Sequence, residues 1–363
     1  MFNNIDLREL AQISGPERAF VSLYLANTDS LDGLKPRIET IRSLLADNPA
    51  EAEHFEENLK LVETWLAEHT WETDGVCLFV CWALDYVKGY PLTVAVPDLI
   101  WVDSSPYIRP LAELQDEYEN FVVVAADNTA SRIFFVTSAR ADQDARIKGD
   151  VKNNVKKGGW SQKRYERRRT NELVHYSKEI VDVLTEIDQK ETFDRLFLLG
   201  SQETMVQIES ALTPPLTAKL AGKRNVDFSA GDDPIFDAAF ELFAVAEREA
   251  EARLWERIKD EYCRGGLAVT GPDDVLKAAA VGRVEKLAVT RDAKLPGTRC
   301  RDCENLLAGQ LDKCTVCGST DVFSVDLVNE LVELLALTSA EADFMDPIEG
   351  LTQAGEVAAL LRY

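Results

Sequence analysis

The chain has 363 residues, with 63 Asp and Glu against 40 Lys and Arg, and a formal net charge of -23. A charge of that sign argues against a protein that coats nucleic acid generally. Its apolar content of 46% and charged content of 28% are ordinary for a soluble globular chain of two or three domains. No run approaches the roughly 18 apolar residues of a membrane helix. The start, MFNNIDLREL, lacks a basic segment followed by an apolar one. The expectation is a cytoplasmic protein with no membrane partner.

In chain order, residues 1–117 read as a first α/β domain. AFVSLYL (19–25) is strand-like, and 36–68 has helical spacing at Ile38, Ile41, Leu44 and Leu45, then Leu59, Val62 and Leu66. The stretches 75–84 and 91–103 are β-rich, and the polar 111–120 covers the linker. A middle domain, 118–264, opens with a hairpin turning at Asp127-Asn128. A long helix at about 161–188 follows, then a buried-type strand RLFLLGS (195–201) and a helix, an order that suggests a partly parallel sheet. A second long helix, 233–263, carries an apolar stripe through Ile235, Ala239, Leu242, Ala246, Ala250, Leu254, Ile258 and Tyr262. The last domain, 265–363, reads as strand or loop, helix and strand over 266–290, a helix over 325–338, and the terminal run VAALLRY. The fold class is α/β with mixed α+β character.

Two segments carry chemistry. Cys300-x2-Cys303, ten residues, then Cys314-x2-Cys317 is the spacing of four thiolates closing on one ion. Gly318 directly follows the last cysteine and leaves room for backbone amides to turn toward sulfur. Four protein ligands leave no position for water or substrate, so the expected ion is structural zinc in a ribbon, 298–325. The odd count, with Cys77, Cys81 and Cys263 left over, fits metal binding in a reducing compartment better than disulfides.

The other segment is 146–169, with ten Lys or Arg and two acidic residues, a net +8 inside an acidic chain. Gly158 and Gly159 allow backbone conformations closed to other residues. Ser161 can cap the helix that follows. Lys163, Arg164, Arg167 and Arg168 lie three or four residues apart, and like charges at that spacing disfavour an isolated helix. Phosphate is the natural compensating partner. Lys156, Lys157 and Arg169 extend the patch, and Trp160 and Tyr165 can stack on bases or ribose. Neither Gly158-Gly159 nor Gly265-Gly266 runs into Gly-Lys-Ser/Thr, so no bound nucleotide is expected. His175, His54 and His69 read as surface or packing histidines.

Lined up without gaps, Gly158, Gly159, Ser161, Arg164, Tyr165, Arg167 and Arg169 resemble the Gly-Gly-Gln loop and following helix of the archaeal and eukaryotic class-one release factors. Independently, Gly350, Gly355 and Ala359-Leu360-Leu361-Arg362-Tyr363 resemble that family's closing strand, and the cysteine ribbon sits where archaeal members carry one. The resemblance spans 120–363; residues 1–117 match it only in position and α/β character. It implies the release factor and Pelota superfamily: three α/β domains, entry to the ribosomal A site, and contacts with rRNA and a translational GTPase. The first domain would reach the decoding centre and the middle one the peptidyl-transferase centre.

Two departures redirect the reading. No Asn-Ile-Lys-Ser stop-codon motif is present, which argues against ordinary termination. Trp160 stands where the catalytic Gln belongs, and Gln162 lies two residues later. That displacement resembles the family's bacterial members and the Vms-type peptidyl-tRNA hydrolases. The expected function is hydrolysis of the peptidyl-tRNA ester on stalled ribosomes, with Gly158, Gly159 and Gln162 at the reaction. The alternative is a non-catalytic ribosome-binding factor of the Pelota or Balon type, acting in recruitment or hibernation.

Overall fold

The structure is a computed structural model that describes residues 5–27, 30–71, 73–127, 130–136, 162–190, 193–227 and 231–363, those of 30 and 162–173 as backbone. The chain forms two compact units. Met1–Asp116 and Leu254–Tyr363 make one, and Glu117–Arg253 makes the other.

The first unit begins with α1 (Leu7–Ala11), capped by the Asp6 carboxylate. Strand β1 (Phe20–Leu25) is buried throughout. Helices α2 (Ser30–Leu45) and α3 (Pro49–Glu68) follow, then β2 (Gly75–Cys81), β3 (Tyr86–Leu92) and β4 (Leu99–Asp103). The four strands pair antiparallel in the order β3-β2-β1-β4. One face of this sheet packs against both helices through Val21, Leu23, Ile38, Phe55 and Val62. Helix α2 starts ahead of the spacing that announces it and contains Pro36. Strand β3 is mostly half-buried, holds Gly89 and Pro91, and lies outside the sequence expectation except at its last two residues. Cys77 and Cys81 are fully buried thiols, as read. The polar stretch read as covering the linker is, over Arg109–Glu117, the helix α4, with Arg109, Leu111 and Ala112 buried.

The second unit holds β5 (Phe121–Ala126), β6 (Ser131–Val136), α5 (Gln162–Lys190), β7 (Arg195–Gly200), α6 (Gln202–Ala211), α7 (Pro214–Ala218) and β8 (Leu220–Asn225). Helix α8 (Asp233–Cys263) begins in this unit and ends in the first. The sheet order is β6-β5-β7-β8, with the hairpin antiparallel and the other two pairs parallel. Alternate residues of a strand face opposite sides. Val122, Val124 and Leu198 therefore meet Ile180 and Leu184 of α5, while Phe121, Val123 and Phe197 meet Ile235, Ala239 and Phe243 of α8. At the end of β7, Gly200 has φ of +127°, and a Cβ there would sit 1.9 Å from the Ala126 carbonyl oxygen. Ser201 then caps α6.

The last stretch returns to the first unit. It contains β9 (Ala268–Thr270), α9 (Pro272–Ala280), β10 (Val284–Thr290), β11 (Pro296–Cys300), β12 (Leu306–Ala308), β13 (Val322–Asp326), α10 (Leu327–Thr338), β14 (Glu341–Met345), α11 (Glu349–Gln353) and β15 (Val357–Leu361). One sheet runs β14-β10-β15-β9, and a small antiparallel sheet runs β12-β11-β13. Leu254, Trp255 and Ile258 of α8 pack on Ala288, Met345 and Leu360. The apolar stripe expected on α8 is buried at Ile235, Ala239, Ala246, Leu254 and Ile258, whereas Tyr262 is exposed.

A buried polar network joins this stretch to the segment 107–113. The Arg109 guanidinium donates to Asp326 Oδ2 at 3.1 Å, to Glu113 Oε1 at 2.8 Å and to the Ala293 carbonyl at 2.9 Å. Tyr107 Oη donates to the same Asp326 oxygen at 2.8 Å, and Asp326 Oδ1 caps α10 through Val328 N–H. Asn329 Oδ1 accepts the Ile108 and Arg109 amides. Removing one partner from a buried pair strands the other charge. Arg109→Met is therefore expected to cost about 3–5 kcal/mol in urea denaturation of the full chain. The double variant with Asp326→Asn should recover part of that loss; a single variant within 1 kcal/mol of the parent, roughly the worth of an exposed pair, would remove this network from the fold's stability.

Candidate functional site

The ribbon is built from two turns of the same backbone design. In the first, Cys300 N–H donates to the Asn305 carbonyl at 3.0 Å, and Glu304 N–H donates back to the Cys300 carbonyl at 2.9 Å. In the second, Cys314 N–H donates to the Ser319 carbonyl at 2.7 Å, and Gly318 N–H donates back to the Cys314 carbonyl at 3.0 Å. Both turns need a left-handed residue directly after their second cysteine. Gly318 supplies it with φ of +82°, and Glu304 adopts it with φ of +58°. The adjacent β11 and β13 hold the turns in register, pairing Cys300 with Val322.

The four sulfurs lie within 4.8 Å of one another. Cys300 and Cys317 Sγ are 3.5 Å apart, and Cys303 and Cys314 Sγ are 3.6 Å apart. Tetrahedral thiolates about 2.3 Å from an ion would be separated by roughly 3.8 Å, so the cluster has the right size. Donors also reach the sulfurs: Asn305 Nδ2 to Cys303 Sγ at 3.3 Å and Val316 N–H to Cys314 Sγ at 3.4 Å. The Asn305 side chain and backbone hold the Cys303 thiol down at about 6, which favours the thiolate that a metal requires. The donor set therefore fits a closed, four-sulfur metal centre.

The residues flanking Cys300 were not singled out by sequence. Arg301 Nε lies 2.5 Å from Glu17 Oε2, and its Nη1 lies 2.8 Å from Asp321 Oδ1. Arg299 pairs with buried Glu330 of α10. Each arginine ties a ligand-bearing turn to its surroundings. An Arg beside a metal-ligand cysteine is a weak sequence signal, because its partners are more than a hundred residues away in one case.

The basic segment divides differently. Lys156, Lys157, Gly158, Gly159 and Trp160 lie outside the described residues. Helix α5 begins at Gln162, so Gln162, Lys163, Arg164, Tyr165, Arg167, Arg168 and Arg169 occupy its opening turns. The described apolar packing of α5 runs from Tyr176 to Ile187 against β5 and β7. His175 is exposed and pairs with Glu179 at 3.6 Å, in keeping with a surface histidine.

Residues 106–256 match the family described as bacterial archaeo-eukaryotic release factor family 10. That span takes in the whole second unit. The chain is similar to peptide chain release factor subunit 1 of Archaeoglobus fulgidus, 24% identical over 283 residues, covering 72% of this chain and 70% of that protein. The counterpart from Methanococcoides burtonii is 22% identical over 290 residues, covering 72% and 70%. Among solved structures, a ribosome-bound archaeal Pelota is 14% identical with a TM-score of 0.44, covering 80% of this chain and 77% of that one.

Metal analysis of the purified protein should find one ion per chain, released by a strong chelator. Cys300→Ala and Cys314→Ala should each purify without it. A metal-free parent that retains native amide dispersion for 296–326 would show that the four thiols stand without an ion.

Proposed function

Taking the chain as a member of the archaeal and eukaryotic class-one release factor and Pelota superfamily, we propose that it enters the ribosomal A site and hydrolyses the ester of peptidyl-tRNA on stalled ribosomes. The observation that carries this reading is the start of α5. A helix that opens at Gln162, directly behind a glycine pair and carrying five Lys or Arg in its first eight residues, lies inside the family-matched span. Cations at that density suit rRNA and tRNA phosphates. The protein works in the cytoplasm, and no helix among the described residues is long and apolar enough to cross a membrane.

In this mechanism Gly158 and Gly159 let the backbone approach the terminal adenosine of the tRNA. Gln162 places a water against the ester carbonyl, through its amide or its backbone N–H. An amide is a poor proton acceptor, so Gln162 contributes placement and charge stabilisation rather than base catalysis. Attack by that water releases the nascent chain and leaves the tRNA with a free 3′ end. Cys300, Cys303, Cys314 and Cys317 would hold a zinc ion, which would supply rigidity alone, since four sulfurs would leave no place for water or substrate. A translational GTPase accompanies the factor, as the superfamily resemblance implies.

Trp160 favours a second reading. It occupies the place of the family's catalytic glutamine, and a factor with that substitution would bind the A site without hydrolysis, in recruitment or hibernation.

Stalled ribosome–nascent-chain complexes separate the two. Hydrolysis predicts peptide release by the parent protein, lowered on the order of 10²-fold in Gln162→Ala and similarly reduced in Gly158→Ala. Tight ribosome binding with no release would select the second reading. In either case log affinity for ribosomes should fall with log salt at a slope of roughly -0.7 to -0.9 per phosphate contact; a flat dependence would leave the basic helix without its RNA.

A further inference from the structure

A cavity of about 780 Å³ opens within the first unit, between α9, α10 and the ribbon. Leu276, Leu306, Leu334 and Leu337 line it, with Val281 and Val316 at 64% and 63% exposure on its rim. Its polar end is made by Ser105, Arg299, Glu330 and Glu333. That combination of size, apolar wall and convergent polar groups is the usual form of a binding site.

The charges at the polar end do not balance. Arg299 is engaged by Glu330. Glu333 Oε1 accepts both Ser105 Oγ at 2.7 Å and Asn329 Nδ2 at 2.8 Å, while Oε2 accepts no hydrogen bond from the described residues. Asp103 of β4 lies behind the pair, and its carboxylate bonds Ser104 and Trp101. Asp273 and Lys277 face the cavity from α9, and Glu304 faces it from the ribbon. Lys277 is paired with Asp274 at 3.2 Å. Both cations of the lining therefore make their ion pairs with other carboxylates, and Arg299 reaches Glu333 only through space. Burial, reinforced by Glu330, pushes the Glu333 carboxyl up to about 8, and burial pushes Glu330 up to about 7. Burial and the repulsion between neighbouring carboxylates outweigh the pull of Arg299 and hold both acids toward their protonated forms.

We propose that this cavity binds a cation carried on an apolar stem, an ammonium or guanidinium seated at Glu333 Oε2 with its hydrocarbon against Leu334, Leu337 and Val281. An anion would face an excess of carboxylates, and a neutral apolar ligand would leave the acids as they are. A cation replaces the proton of Glu333 and fills the apolar wall with one molecule. The ligand is either a free hydrophobic amine or a Lys or Arg side chain presented by an apolar protein segment. The proposal does not rest on the A-site reading, since none of the lining residues belongs to the basic segment.

Calorimetric titration of the full chain tests it with 4-phenylbutylamine, its neutral counterpart 4-phenylbutan-1-ol, and a capped Leu-Arg-Leu peptide. The amine should bind at least roughly tenfold tighter than the alcohol, the order expected when a half-buried carboxylate gains a charge-assisted hydrogen bond. Its affinity should rise from about pH 6 to about pH 9, where the amine stays charged and Glu333 loses its proton. Glu333→Gln keeps the oxygen that Ser105 and Asn329 donate to and removes a half-buried charge. That variant should hold the parent's Tm, lose the advantage of amine over alcohol, and lose the pH dependence. Leu337→Asp, at the apolar wall, should weaken the alcohol. A peptide tighter than the amine points to a protein side chain as the ligand, and the reverse order points to a small molecule. Equal binding of amine and alcohol, no binding of any probe, or an unchanged amine affinity in Glu333→Gln would overturn the proposal.

Discussion

The first unit depends on one largely enclosed carboxylate. Asp326 caps α10 with one oxygen and takes Tyr107 and Arg109 with the other. Those donors and that acceptor are more than two hundred residues apart in the chain. A buried carboxylate is tolerated only when its lone pairs are filled by strong donors. The fold satisfies Asp326 by bringing the first and last stretches into one body. Asn329 and Glu333, one and two turns further along α10, continue the seam through the amides of Ile108 and Arg109 and the hydroxyl of Ser105. The ribbon adds its own tie through Arg301 to Glu17.

The second unit is organised by apolar packing instead. Alternate residues of β5 feed two cores, so the sheet is covered by α5 on one face and α8 on the other. The opening of α5 carries the cationic residues, and the packed part of the same helix begins a few turns later. Catalytic or RNA-binding side chains at a helix start gain their position from such an anchored scaffold. The closed ribbon has the opposite character: four sulfurs, two matched turns and no open coordination position, suited to holding shape.

Much of this was legible in the chain. The cysteine spacing named a four-sulfur site, and the sulfurs meet, because a C-x2-C turn is local and each pair needs only its own hydrogen bonds to form. Periodicity located α5 and α8, and alternation with an apolar run located β5, β6 and β7, because those signals are written into consecutive residues. Strand β3 escaped since it has no apolar alternation, carries Gly89 and Pro91, and is only partly buried. Helix α4 escaped since its polar Arg109 is buried against distant partners rather than solvated. The family likeness rested on short motifs whose chemistry is tied to one loop and one strand.

The sequence by itself determined the α/β class, the paired cysteine turns and the basic helix, because each depends on neighbours within about twenty residues. Tertiary structure alone decided that the first and last stretches form one unit, that Arg109 meets Asp326, and that Glu333 faces a cavity with one oxygen open. Those outcomes turn on pairing between charges far apart in the chain, and burial sets the strength of such pairing. No pattern along the chain encodes which carboxylate a given arginine will find.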